Sequence, residues 1–274
     1  MSPGRLLALL LVAAAARAEA APWALGAQRF SARLGYQGVR STTLVAPDGM
    51  KFDIPRFVTD DLDLGLAWGI DDRFTLIANL PLLRSSDLDD TPDELTREAG
   101  FGDVQVGLEA QLARRGPWAF GVRGLVQVPT GDAERADGLQ PTGSGVWEGE
   151  AAFSAGVSFL AGKGWLVGEG GYHYRGGGLE DGVVYSVNAG WVASRRVSLA
   201  IGLRGVQPFR YPDGSFATGS LTGVGNGVTF ANYGPSLFVK LGGGLSLDTG
   251  VERTFHARNL ATGTLFRAGL TYRR

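Results

Sequence analysis

The chain has 274 residues, a formal net charge of −1, 43 glycines and no cysteine. The near-neutral charge gives no reason to expect a nucleic-acid partner, and the lack of cysteine excludes disulfides and cysteine-based metal sites. A mean hydropathy of +0.03 is too low for a bundle of membrane helices, but it suits a β-barrel in which only alternate residues are apolar.

The first residues predict export from the cytoplasm. Arg5 precedes an uncharged apolar run over 6–16, and Ala18-Glu19-Ala20 places small residues where a signal peptidase cleaves. The run is shorter than the ~20 residues that a helix needs to span a bilayer. We therefore predict a signal peptide over 1–20, cleaved after Ala20, and one domain over 21–274.

The rest of the chain consists of segments in which apolar and polar side chains alternate, most clearly over 103–112. A period of two places the two classes on opposite faces of a β-strand. About twelve segments near the ~10-residue length of a tilted transmembrane strand can be counted. They cover 25–39, 57–70, 74 onward, 104–112, 118–128, 147–159, 165–175, 183–191, 197–209, 228–241, 245–255 and 264–272.

The connections between these segments alternate between short turns and long loops. The long loops are predicted over 40–56, 84–100, 130–145, 176–182, 210–227 and 256–263. Outer-membrane barrels have short periplasmic turns and long extracellular loops. We therefore predict an all-β fold, a transmembrane antiparallel up-and-down barrel of about 12 strands, in the outer membrane of a Gram-negative bacterium.

Aromatic side chains cluster beside the short turns and predict a girdle at the periplasmic interface, where ring systems bridge lipid and water. They are Trp68, Phe74, Trp118, Phe159, Trp165 and Trp191. At the other end, the acidic stretch over 84–100 is expected to be a solvated loop, with cation binding near lipopolysaccharide as the alternative. Expected partners are outer-membrane lipid, lipopolysaccharide and the barrel-assembly machinery, for which Tyr272 would be the terminal aromatic.

If the apolar face contacts lipid, the alternate residues line the lumen, where charges must contact water or pair with each other. The predicted lumen-lining residues are Arg29, Arg33, Asp61, Asp63, Asp103, Glu109, Arg123, Glu148, Glu150, Glu169, His173, Arg204, Asp248 and Glu252. About twelve strands fall between filled eight-stranded barrels and open barrels of sixteen or more. Two interpretations stay open: a narrow, hydrated pore with a mild preference for cations or polar solutes, or a filled barrel with a structural or surface-interaction role.

A lipid-modifying enzyme is the third alternative and would need a nucleophile with a histidine base at the lipid-facing rim. The chain has two histidines, His173 and His256, of which the first follows Glu169 at strand spacing and the second follows Glu252 by four residues. No serine near either histidine lies in a nucleophile motif. We expect no catalytic residue, no metal site and no cofactor.

Four segments of the sequence resemble a known family. They are 70–76 with Leu80-Pro81-Leu82, Gly100-Phe101-Gly102-Asp103, Pro129-Thr130-Gly131-Asp132, and Thr142-Gly143-Ser144-Gly145. They are similar to motifs of the putative transporters related to a meta-pathway phenol-degradation protein, and the resemblance covers most of the mature chain. It implies an outer-membrane barrel that moves small, hydrophobic or aromatic compounds, and it implies no catalytic residues.

Overall fold

The structure, a computed structural model, describes residues 22–91, 94–133, 141–211 and 223–274, with the backbone alone at 90, 91 and 94–97. Its strands are β1 (Phe30–Val45), β2 (Lys51–Gly69), β3 (Phe74–Thr91), β4 (Glu94–Gly100), β5 (Val104–Arg115), β6 (Trp118–Val128), β7 (Glu148–Phe159), β8 (Gly164–Arg175), β9 (Gly182–Val192), β10 (Val197–Pro208), β11 (Thr229–Gly242), β12 (Leu245–Arg258) and β13 (Leu260–Arg273).

The sheet closes into a barrel of 12 strand positions. Neighbouring strands pair antiparallel in chain order, β1 pairs with β13, and β2 joins β1 to β3. β4 pairs with β3 over 84–91 and β5 pairs with β3 over 74–79, so β4 and β5 share one position. The predicted fold class is confirmed. No helix in the described ranges is both long enough and apolar enough to cross a membrane.

The alternation of side chains sorts residues between an apolar outer wall and a polar interior. Leu34, Leu76, Phe153 and Ile201 are each 46–56% exposed on the outside, whereas charged residues of the intervening positions lie inside. Soluble monomers rarely expose contiguous apolar surface on this scale. Lipid is the solvent in which such a wall is stable.

Three of the predicted long loops are largely extensions of strands. β1 runs to Val45 and β2 begins at Lys51, with a tight turn in which the amide of Ala46 donates to the carbonyl of Met50 at 2.8 Å. β3 and β4 likewise occupy most of 84–100, and Asn259 alone separates β12 from β13. The loop predictions were wrong there because alternation weakens once both faces of a strand contact water.

The aromatic residues beside the short turns lie on the outer wall, as predicted, except for one tryptophan. Trp68, Trp118 and Trp191 are each 47–51% exposed on the outer wall, but Trp165 is 4% exposed and faces the lumen. Its position on β8 has the same parity as the inward Glu169, so the alternation itself contained this signal. The first strand also begins at Phe30 rather than Leu25, because 22–27 forms a separate segment that buries Trp23 inside the barrel.

Candidate functional site in the barrel lumen

A cavity of about 590 Å³ occupies the interior of the barrel. Its wall combines charged side chains with smaller polar and apolar ones from most strands. Ten of the fourteen predicted lumen residues line it, namely Arg29, Arg33, Asp63, Glu109, Arg123, Glu150, Glu169, Arg204, Asp248 and Glu252.

A smaller cavity of about 210 Å³ lies toward the long-loop end, and it is lined by Asp103, Glu148 and His173. The two cavities share the wall residues Asn79, Gln105, Val206 and Phe230, so they follow one another along the lumen. The remaining predicted residue, Asp61, pairs at 3.2 Å with Arg84, which lines the smaller cavity.

Arg123 organises the wall formed by β5 to β8. Its Nη2 lies 2.6 Å from the nearest carboxylate oxygen of both Glu150 and Glu169, on the two following strands. A third carboxylate, Glu109, interacts with the same guanidinium by charge alone. One cation therefore faces three acidic side chains, and this wall keeps an excess of negative charge.

The opposite wall is rich in arginine. Arg33 on β1 contacts Asp248 at 2.9 Å and Asp63 at 3.6 Å. The carboxylate of Glu252 on β12 pairs with the guanidinium groups of both Arg204, at 3.0 Å, and Arg267, at 2.5 Å. The Arg33–Asp248 pair connects β1 to β12 across β13, and the Arg204–Glu252 pair connects β10 to β12 across β11.

Glu148 holds a polar cluster at the long-loop end. One of its carboxylate oxygens lies 2.8 Å from Nε2 of His173, and the other accepts from Arg175 at 3.0 and 3.1 Å. Arg175 also donates to the carbonyls of Val224 and Gly225 at 2.9 and 2.8 Å. The cluster therefore ties the described end of the β10–β11 connection to the mouth of the lumen.

The family-like motifs meet around Asp103, which is 7% exposed. Its carboxylate accepts from the amide of Gly131 at 2.9 Å and from the amide of Ser144 at 2.6 Å. A side chain on Gly143 could not fit, because its Cβ would lie 2.3 Å from Asp103 and 2.8 Å from the Cα of Gly131. The Gly-Asp, Pro-Thr-Gly-Asp and Thr-Gly-Ser-Gly motifs thus form one clasp, which holds the two ends of the β6–β7 loop.

The chain before β1 crosses the lumen at the short-turn end. Trp23 is 7% exposed and packs with Trp165, Ala119 and Val167 in one apolar cluster. Those partners lie on β6 and β8, on the side of the barrel opposite β1. We call residues 22–27 the N-terminal segment.

The wall is shaped to receive this segment. A Cβ on Gly156 would lie 2.5 Å from the Trp23 ring, and one on Gly121 would lie 3.0 Å from the Cα of Pro22. The amides of Ala24 and Leu25 donate to the side chains of Gln111, at 3.3 Å, and Thr75, at 3.1 Å. The amide of Ala27 donates to Asp72 at 3.3 Å. Packing and hydrogen bonds together hold the segment across the lumen.

Several lumen residues escaped the sequence prediction, and the alternation contained a signal for some of them. Arg267 and Arg273 line the larger cavity, and both alternate with the outward Phe266, Leu270 and Tyr272. Arg84 was assigned to a loop, and Trp23 was not assigned to the lumen at all. For Trp23 the sequence carries no signal, because its position depends on how the segment folds back into the closed barrel.

The histidines do not form the acid–base pairs considered from the sequence. The carboxylate that His173 contacts belongs to Glu148 and not to Glu169. Glu252 is 4% exposed and paired with arginines, whereas His256 is exposed. The pairing register shifts between Ala231 and Asn232 on the facing strand, which separates the two positions. Among the described residues, no group of three or more His, Asp or Glu side chains could hold a metal ion.

Solved structures share this architecture. An outer membrane channel from Pseudomonas putida F1 is 18% identical, with 92% of this chain and 97% of that chain covered and a TM-score of 0.73. The NanC porin is 8% identical, with 89% and 98% covered and a TM-score of 0.53. The translocator domain of the autotransporter NalP from Neisseria meningitidis is 13% identical, with 98% and 94% covered and a TM-score of 0.53. At these identities the likeness concerns the fold.

No curated protein matches the sequence. Residues 50–268 match the family described as "Putative MetA-pathway of phenol degradation". The match includes all four motif segments, three of which contribute to the clasp around Asp103. The chain belongs to this family, as its motifs led us to expect.

Proposed function

We propose that the protein is an outer-membrane channel for small solutes. The observation that carries the proposal is the pair of consecutive polar cavities inside a closed barrel with an apolar outer wall. Charged groups such as Arg29 and Glu109 line the larger cavity, and such groups need water around them. Water-filled interiors are typical of barrels that pass solutes. The P. putida protein that shares this fold is an outer membrane channel, which supports the same proposal.

Planar lipid bilayers provide the direct test. The purified, refolded protein should produce discrete conductance steps, and protein that has not refolded, as judged by its gel mobility, should produce none. Absence of steps from properly folded protein would contradict the proposal. Transport of hydrophobic or aromatic compounds stays a prediction from the family resemblance, and it is testable by comparing uptake of phenol in cells with and without the gene.

A filled barrel with a structural or surface role is the second candidate, and the N-terminal segment favours it. This segment buries Trp23 across the short-turn end and narrows the lumen there. If protein that lacks residues 22–27 folds normally and still shows no conductance, the result supports the filled barrel over the channel. Contacts of the long loops with lipopolysaccharide, and of the C-terminal strand with the assembly machinery, are part of both proposals.

The proposed location in the outer membrane of a Gram-negative bacterium rests on the apolar wall and on the predicted signal peptide. Residues 1–20, including the predicted cleavage site after Ala20, lie outside the described residues. N-terminal sequencing of the protein from isolated outer membranes tests both points. A mature chain that begins at Ala21 is the expected result. The same chain should be absent from the inner-membrane fraction.

A further inference from the structure

The charges around the larger cavity are separated between two opposite walls. The described residues that line it include six arginines and six acidic side chains, so their formal charges cancel. β5 to β8 contribute Glu109, Glu150 and Glu169 against Arg123 alone. This acidic wall carries a net charge of −2.

The other charges lie on β10, β12, β13, β1 and β2, with Arg29 just before β1. This basic wall holds five arginines and three acidic residues, a net charge of +2: Arg29, Arg33, Arg204, Arg267 and Arg273 against Asp63, Asp248 and Glu252. β3 and β9 separate the two walls on either side. In a ring of 12 positions the two walls are therefore diametrically opposed.

Two opposed walls of opposite sign produce an electric field across the lumen, perpendicular to the direction of transport. A confined cavity with low-dielectric walls focuses such a field. A solute with one charge is attracted to one wall and repelled by the other. A solute with separated charges of both signs is attracted to both walls at once when it lies across the lumen.

We propose that the channel selects small zwitterionic solutes, oriented with the cationic group toward the acidic wall and the carboxylate toward the basic wall. This inference rests on the proposed channel function and names its substrate class. It also predicts weak selectivity between simple cations and anions, in place of the mild cation preference expected from the sequence, because the cavity charges cancel.

The test compares two isomeric solutes of equal size in liposome swelling. Alanine is zwitterionic and lactamide, its constitutional isomer, is neutral; protein-free liposomes correct for leakage through lipid. Alanine should enter through the protein about tenfold faster or more than lactamide, at the low end of the enrichment that focused fields produce.

Two double variants distinguish the effect of the field across the lumen from the effect of removing charged residues elsewhere in the protein. Glu109→Gln with Arg29→Gln removes one charge from each wall and leaves the total unchanged. The control, Arg40→Gln with Asp60→Asn, also removes one positive and one negative charge, but from an ion pair of 2.8 Å that lies outside the lumen. The first variant halves the net charge of each wall, so it should clearly lower the alanine-to-lactamide ratio, and the second should leave the ratio unaltered.

Ion selectivity gives an independent measurement on the two single substitutions of the first variant. Glu109→Gln alone should shift the reversal potential in a salt gradient toward anion preference, and Arg29→Gln alone toward cation preference. Equal swelling rates in the wild type, or equal effects of the two double variants, would overturn the zwitterion proposal and leave the channel intact. Absence of both swelling and conductance would overturn the channel function as well.

Discussion

Removing the Trp23 side chain should release the N-terminal segment and widen the short-turn end of the channel. Trp23 is 7% exposed, and its ring lies against Trp165 and the Cα of Gly156. Truncating a buried tryptophan to alanine costs about 3–5 kcal/mol. The hydrogen bonds donated by the amides of Ala24, Leu25 and Ala27 contribute about 0.5–1.5 kcal/mol each. Ordering the backbone of the segment opposes its binding by about 1–2 kcal/mol per residue. Without the tryptophan, the hydrogen bonds cannot offset the loss of conformational entropy.

We therefore expect Trp23→Ala to increase single-channel conductance and to make the N-terminus cleavable by added protease. The matched control is Trp68→Ala, which removes an outward tryptophan, 47% exposed, at the same end of the barrel. The control should leave the conductance and the protease sensitivity as in the wild type. Heat-modifiable gel mobility establishes that both variants form barrels.

The reasoning is refuted if Trp23→Ala conducts like the wild type while its N-terminus has become protease-sensitive, because the segment would then leave the lumen without changing the pore.

Three further predictions concern the clasp, the acidic wall and the β2–β3 turn. Asp103→Ala leaves the half-buried amides of Gly131 and Ser144 without their acceptor, at a cost of at most about 1–3 kcal/mol each. The midpoint of unfolding in urea should therefore fall; an unchanged midpoint contradicts the clasp. Arg123→Met leaves three carboxylates without their shared cation, and a loss of about 3–5 kcal/mol is expected; a variant as stable as the wild type in the same titration would show that water already satisfies these acids. In the β2–β3 turn, the amides of Arg73 and Phe74 donate to Asp71 and lower the pKa of its carboxyl. The stabilising effect of the Asp71 carboxylate should be present above the ordinary aspartate pKa and lost as the pH falls through the lowered value. Over this range, the unfolding midpoint of Asp71→Asn should therefore depend less on pH than that of the wild type. Identical pH profiles would refute this prediction.

Local pattern accounts for how much of the fold could be predicted. Alternation of period two is a property of each strand by itself, so the strand positions and most inward-facing residues could be derived without tertiary information. The same rule places Trp165, Arg267 and Arg273 inside, although they were overlooked. It failed at the extended loops, where both faces of the strand contact water and the pattern has no apolar side.

The sequence by itself determined the architecture, since period two, turn spacing and the family motifs all describe a barrel of about twelve strands. Only the tertiary structure decided which charges meet. Arg33 pairs with Asp248, 215 positions away, because β1 closes against β13 and not because of any local signal. The crossing of the lumen by Trp23 has the same origin. Contacts across a closed sheet depend on register and on closure, and these exist only once the twelve strands have paired.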